Sequence, residues 1–109
     1  MKDDTVYLRH IADAINQIED YLGEKSFEEF TENKMFQDAV VRQLEIIGEA
    51  SRNLSDDFRR LHPAVPWSQI AGMRNRMAHD YLNVDMEIVW DIITRDLPVL
   101  KLRIAELLR

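Results

Sequence analysis

The stretch MRNRMAHDY, Met73 to Tyr81, gathers the side chains best equipped for chemistry in this chain. Arg74 keeps its charge and offers a planar fork of donors that fits a phosphate. His79 belongs to a residue type with an unperturbed pKa of about 6.5, so it can take up and return a proton near neutrality. Asn75 adds an amide beside the guanidinium. Tyr81 adds a phenol whose ordinary pKa is about 10. Chance often produces an Arg and a His separated by four residues, so the meaning of this pattern rests on the elements that position it.

The charge balance points the same way, though weakly. The formal net charge is −6 overall, but −7 over residues 1–51, +3 over 52–79 and −2 over 80–109. Every cation in the middle stretch is arginine, the side chain that can grip phosphate with two parallel hydrogen bonds. Against this, Arg59 and Arg60 can simply solubilise a short helix. A broad basic face, which general affinity for duplex nucleic acid requires, is missing.

Other classes are disfavoured. The chain has no cysteine, which excludes disulfides and thiolate metal sites and fits a cytoplasmic location. No paired-histidine spacing is present, so no metal and no cofactor are expected. His10 and His62 are read as structural. Hydrophobic residues at 46% and charged residues at 31% describe a globular chain rather than a disordered one. The apolar runs are too short for a membrane span, and the acidic start MKDDT is not a signal peptide. A length of 109 residues fits one domain, 1–109.

The rest of the pattern is helical, with short connectors and no sustained strand alternation. A first helix is predicted over about 5–22, capped by Asp3 or Asp4 and stopped by Gly23. Its stripe is Val6, Leu8, Ile11, Ala14, Ile15, Ile18 and Leu22. Ser26 to Glu29 is a capping-box pattern for a brief turn. A second helix, about 33–53, carries Met35, Phe36, Ala39, Val40, Ile46, Ile47 and Ala50, with Leu54 continuing the stripe. This is a wide apolar face with Gln43 in its middle, either a core amide or a contact across a subunit boundary. Glu45 and Glu49 share another face and read as solvated or interfacial. Ser55 caps a short helix that His62-Pro63 closes. A third helix is predicted over about 66–79, with Pro66 as its first residue. A fourth starts near Met86, capped by Asn83 or Asp85. Asp96-Leu97-Pro98 should break or kink it, before an amphipathic stretch from Val99 to Leu108. The sum is an all-α, four- or five-helix up-and-down bundle.

On a regular third helix, Ile70, Met73 and Met77 face the core, while Gln69 and Arg76 are exposed. Trp67, Ser68, Ala71, Gly72, Arg74, Asn75, Ala78 and His79 form a face of small and polar groups. Arg74 and His79 then lie about 140° apart, too divergent to grip one phosphate from the same side. Either the helix ends near His79 and lets that side chain swing inward, or two copies of the helix face each other and pool their Arg and His residues. The second solution requires a homodimer.

The order Arg74, Asn75, His79, Tyr81 resembles the signature of HepT-like toxins in the HEPN superfamily. The flanking segments QLEIIGEASRNLS (Gln43 to Ser55), HPAVPWSQIAG (His62 to Gly72) and DLPVLKLRIAELL near the C-terminus are similar to that family as well, so the resemblance covers nearly the whole chain.

That resemblance implies a homodimeric, metal-independent ribonuclease, the toxin of a type VII (HEPN/MNT) toxin–antitoxin system. It implies Arg74 and His79 as the catalytic pair, Asn75 as their support, and Tyr81 as the residue to which a cognate MNT-type nucleotidyltransferase antitoxin attaches AMP. RNA suits such a site because it carries its own nucleophile, the 2′-hydroxyl. The enzyme has only to supply a base, an acid and a cation. The alternative is a non-catalytic helical partner, the substrate-binding subunit of a nucleotidyltransferase, which would need Tyr81 but not Arg74.

Overall fold

A computed structural model of the chain describes residues 3–78 and 84–109. The described residues form a bundle of α-helices without a strand: α1 (Asp4–Leu22), α2 (Phe27–Glu32), α3 (Lys34–Asn53), α4 (Asp56–Leu61), α5 (Trp67–Ala71), α6 (Met73–Met77), α7 (Met86–Asp91) and α8 (Leu97–Leu107). This is the all-α HEPN architecture expected from the sequence.

The ends of the helices follow from local chemistry. The Asp3 carboxylate accepts from the Thr5 amide at the start of α1, and Gly23 ends it at a φ of 49°, a left-handed backbone that favours glycine. Ser26 and Glu29 form the reciprocal capping box of α2. Asn33 caps α3 and Ser55 caps α4. Ser55 does more than cap. Its amide and hydroxyl donate to the Asp4 carboxylate at 2.7 and 2.8 Å, which ties the end of α3 to the start of α1 and makes the two long helices antiparallel.

The stripes meet as expected. Ile11, Ile15 and Ile18 of α1 bury against Val40, Leu44 and Ile47 of α3, and Val89, Ile92, Leu97 and Ile104 close the core from the C-terminal half. Phe30 is fully buried and stacks edge-on to Phe36 and tilted against Trp90, which joins α2 to both halves. Two apolar residues depart from their predicted place. Val6 is exposed, and Met35, in the first turn of α3, is 84% exposed.

Two predicted elements need correction. The third helix does not run unbroken from Pro66 to His79. It is divided at Gly72 into α5 and α6, and it stops at Met77, with Ala78 in extended backbone. The division carries Trp67, which the helical wheel puts on the polar face, into the core beside Phe58, where its indole N–H donates to the His62 carbonyl at 2.9 Å. Nor does Pro98 break the last helix. Residues 92–96 form a single π-helical turn, and the right-handed helix continues directly into α8 with Pro98 in its first turn. A proline there has no N–H to give and would press on the preceding turn, and the wider π turn relieves that conflict.

Asp85 caps α7 as expected, accepting from the amides of Glu87 and Ile88. Asp85→Ala should cost about 0.5–2 kcal/mol, measured as a lower midpoint of thermal unfolding. Asp85→Asn, which keeps the acceptor, should recover most of the loss.

Candidate functional site

The site is assembled on α6, a helix of only five residues held from both sides. Met73 and Met77 anchor it in the core. Arg74 and Arg76 leave it in different directions. Arg74 Nη1 donates to Glu45 Oε1 on α3 at 2.5 Å, and Arg76 Nη1 donates to Asp96 Oδ2 in the π turn at 2.7 Å. Both pairs are partly solvated, so each contributes little to stability.

What lets the end of α5, just before α6, sit so close to α3 is Gly48. A Cβ at this position would lie 3.2 Å from the Ile70 carbonyl oxygen and 3.7 Å from that of Ala71. One turn further on, Arg52 completes the joint. It pairs with Glu49 at 2.7 Å and donates to the Ala71 carbonyl at 2.8 Å. That carbonyl lies at the end of α5, where an unpaired acceptor needs a partner.

Arg74 and Asn75 are both exposed on α6, with the Arg74 side chain at 63%. His79 and Tyr81 lie outside the described residues. Ala78 pairs with Val84 in an isolated antiparallel bridge, and the Asp85 amide donates to the Met77 carbonyl at 2.7 Å. The two ends of segment 79–83 are thus tied together at the C-terminal end of α6. The predicted angle of about 140° between Arg74 and His79 does not apply, because the helix that would impose it ends two residues before His79.

Beside Arg74 runs a groove of about 390 Å³ between α3 and the start of α7. Lys34, Arg42 and Arg74 contribute cations, Asp38 and Glu45 anions, and Val41, Val84 and Met86 apolar surface.

The locally basic stretch is less basic than its composition suggests. Each of its five arginines is ion-paired: Arg52 with Glu49, Arg59 with Asp56, Arg60 with Asp57, Arg74 with Glu45 and Arg76 with Asp96. The pairs of Arg59 and Arg60 lie within α4, with Arg60 exposed and Arg59 partly buried. Arg52, Arg74 and Arg76 reach across to other parts of the fold, Arg52 to the Ala71 carbonyl and the other two through their ion pairs. The histidines outside the signature each lie against an aromatic ring. His62 stacks on Phe58 with ring centroids 4.5 Å apart, and His10 lies edge-on to Tyr7. Among the described residues no cluster of His, Asp or Glu could hold a metal ion, and no helix is long and apolar enough to cross a membrane.

Sequence reasoning missed the role of Glu45. It reads as solvated or interfacial, yet it is half-buried against Arg74. The two are 29 residues apart in the chain, and nothing in the local pattern links them. The one available signal is Gly48, since a glycine within a long helix marks a close approach.

Comparison with known proteins bears on this geometry. The family described as Ribonuclease HepT-like matches residues 11–107. The chain is 48% identical over 95 residues to the "Probable ribonuclease HepT" of Thermococcus cleftensis, covering 87% of this chain and 86% of that protein. It is 39% identical over all 109 residues to a "Putative RNase" of Caldanaerobacter subterraneus subsp. tengcongensis, covering 97% of that protein. It is also 39% identical over 107 residues to a "Gamma-glutamylcyclotransferase and putative RNase" of Methanocaldococcus jannaschii, of which it spans 48%. No solved structure matches.

Proposed function

The chain belongs to the HepT-like ribonuclease family, and from that premise we propose that it is a metal-independent ribonuclease toxin acting through Arg74 and His79. The observation that carries the reading is α6 itself. It holds an exposed guanidinium on a helix braced to Glu45 and Asp96, and the residues that flank 79–83 are paired at its end.

The chemistry needs no added group. A histidine takes the proton of the RNA 2′-hydroxyl, whose oxygen bonds to the adjacent phosphorus. The bond from phosphorus to the 5′-oxygen breaks, and a protonated histidine gives that oxygen its proton. The products are a 2′,3′-cyclic phosphate and a 5′-hydroxyl. Arg74 stabilises the charge that develops on the phosphorane oxygens, and Asn75 supports it with its amide. One histidine cannot be both base and acid in a single step. Two copies of the chain facing each other across α6 supply two, so the working form is a homodimer with a shared cleft. RNA enters this cleft without help from a wide basic surface, consistent with the neutralised arginines of α4.

Tyr81 is then the switch. A partner nucleotidyltransferase of the MNT type transfers AMP to the phenol oxygen, with pyrophosphate leaving from ATP. The added phosphate is an anion and competes with the substrate for Arg74. The protein acts as one domain, in the cytoplasm, as the toxin of a type VII pair.

The test is direct. Purified protein should cut RNA in the presence of a chelator, leaving cyclic phosphate ends. Co-expression with the nucleotidyltransferase should raise the intact mass by whole AMP units and suppress cleavage, and Tyr81→Phe should prevent both. RNA left uncut, whether or not metal is supplied, would refute the enzymatic reading. An unchanged mass gain in the Tyr81→Phe protein would move the modification elsewhere.

A further inference from the structure

Arg74 has five N–H donors, and Glu45 takes one of them, through Nη1 alone. The contact is not the two-pronged pair that a guanidinium and a carboxylate form when nothing else is asked of them. Glu45 stands on a closely packed part of α3. It lies one turn before Gly48, where α3 touches the backbone of α5, and the brace from Glu49 through Arg52 to Ala71 follows on the next turn. The Glu45 side chain is 36% exposed and the Arg74 side chain 63%. The anion is therefore the better fixed member of the pair, and the cation the more accessible.

We propose that Glu45 is a positioning residue. Its carboxylate holds the Arg74 guanidinium in place through one edge and leaves the remaining donors for a phosphate oxygen. This rests on the ribonuclease reading for its substrate, though the ion pair does not. The arrangement has two opposed consequences. A fixed guanidinium meets the transition state without reorganising, which favours turnover. A carboxylate so close repels the substrate phosphate, which weakens binding.

Substitution separates the two. Glu45→Ala frees Arg74 and removes the repulsion, so kcat should fall on the order of 10-fold while KM stays level or falls. Glu45→Gln keeps an acceptor for Nη1 but loses the charge, so kcat should recover much of that loss while KM remains low. A residue that only stabilised the fold would lower the active fraction and leave KM alone in both variants, with a matching fall in unfolding temperature.

The experiment is steady-state cleavage of a fluorogenic RNA oligonucleotide by the full chain and both variants. It is paired with NMR of the arginine side-chain N–H groups during titration with inorganic phosphate, the Arg74 signal being identified by its loss in Arg74→Lys. The expected result is the split described, with the Arg74 signal displaced in both variants and its response to phosphate saturating at several-fold lower concentration. A kcat within twofold of the parent in Glu45→Ala, or an Arg74 signal and phosphate response that match the parent in both variants, overturns the proposal. Should the parent protein cut no RNA, the ribonuclease reading alone fails, and the phosphate titration still decides the role of Glu45.

Discussion

Arg74→Ala and His79→Ala should each lower RNA cleavage by about 10²- to 10⁴-fold, the loss that removal of a charge-stabilising donor or of a general acid–base group produces. For Arg74 the structure predicts that the loss comes without unfolding. Its ion pair with Glu45 is partly solvated, and such pairs contribute about 0–1 kcal/mol. The α6 helix remains anchored through Met73 and Met77 and braced through Arg76 and Asp96. Thermal unfolding followed by circular dichroism should therefore change little while initial cleavage rates collapse. Arg74→Lys should recover little, because a compact ammonium cannot reproduce the fork that spans two phosphate oxygens. Cleavage that persists in either alanine variant removes that residue from the mechanism.

The sequence reveals most where one segment decides its own structure. The caps at Asp3, Ser26, Asn33, Ser55 and Asp85 are each satisfied within three residues of the side chain that makes them, so local spacing suffices to read them. The stripes of α1 and α3 are legible for the same reason, because a helical period of 3.6 is imprinted in the order of residues. Where two segments negotiate, the pattern misleads. Residues 66–79 read as one amphipathic helix, but Gly72 lets the chain turn so that Trp67 reaches Phe58 while Met73 and Met77 reach the core, an arrangement no single helix face offers. Met35 counts as apolar in any wheel, yet it is exposed while its neighbour Phe36 is buried. The candidate site divides in the same way. Arg74 and Asn75 follow from their residue types and the family resemblance. Glu45 becomes visible only once α3 and α6 are packed, because no local spacing links two residues 29 apart in the chain.

Met77 is where fold and chemistry are most tightly joined, and Met77→Ala should be the most damaging core substitution for the site. Its side chain is fully buried, and removing a buried methionine costs about 2–5 kcal/mol, partly as lost transfer energy and partly as the cavity left behind. A domain of this size has roughly 5–15 kcal/mol in hand, so a large share of its stability would go. The backbone of the same residue accepts the Asp85 amide, next to the bridge between Ala78 and Val84, so this anchor also closes the ends of segment 79–83. Cleavage by Met77→Ala should consequently fall further than its unfolded fraction explains, even at temperatures where denaturant titration shows it folded. Met77→Leu, which conserves volume, should cost less than about 1.5 kcal/mol and retain activity. Equal stability and activity in Met77→Ala and the parent would mean that α6 is held by its ion pairs rather than by its buried face.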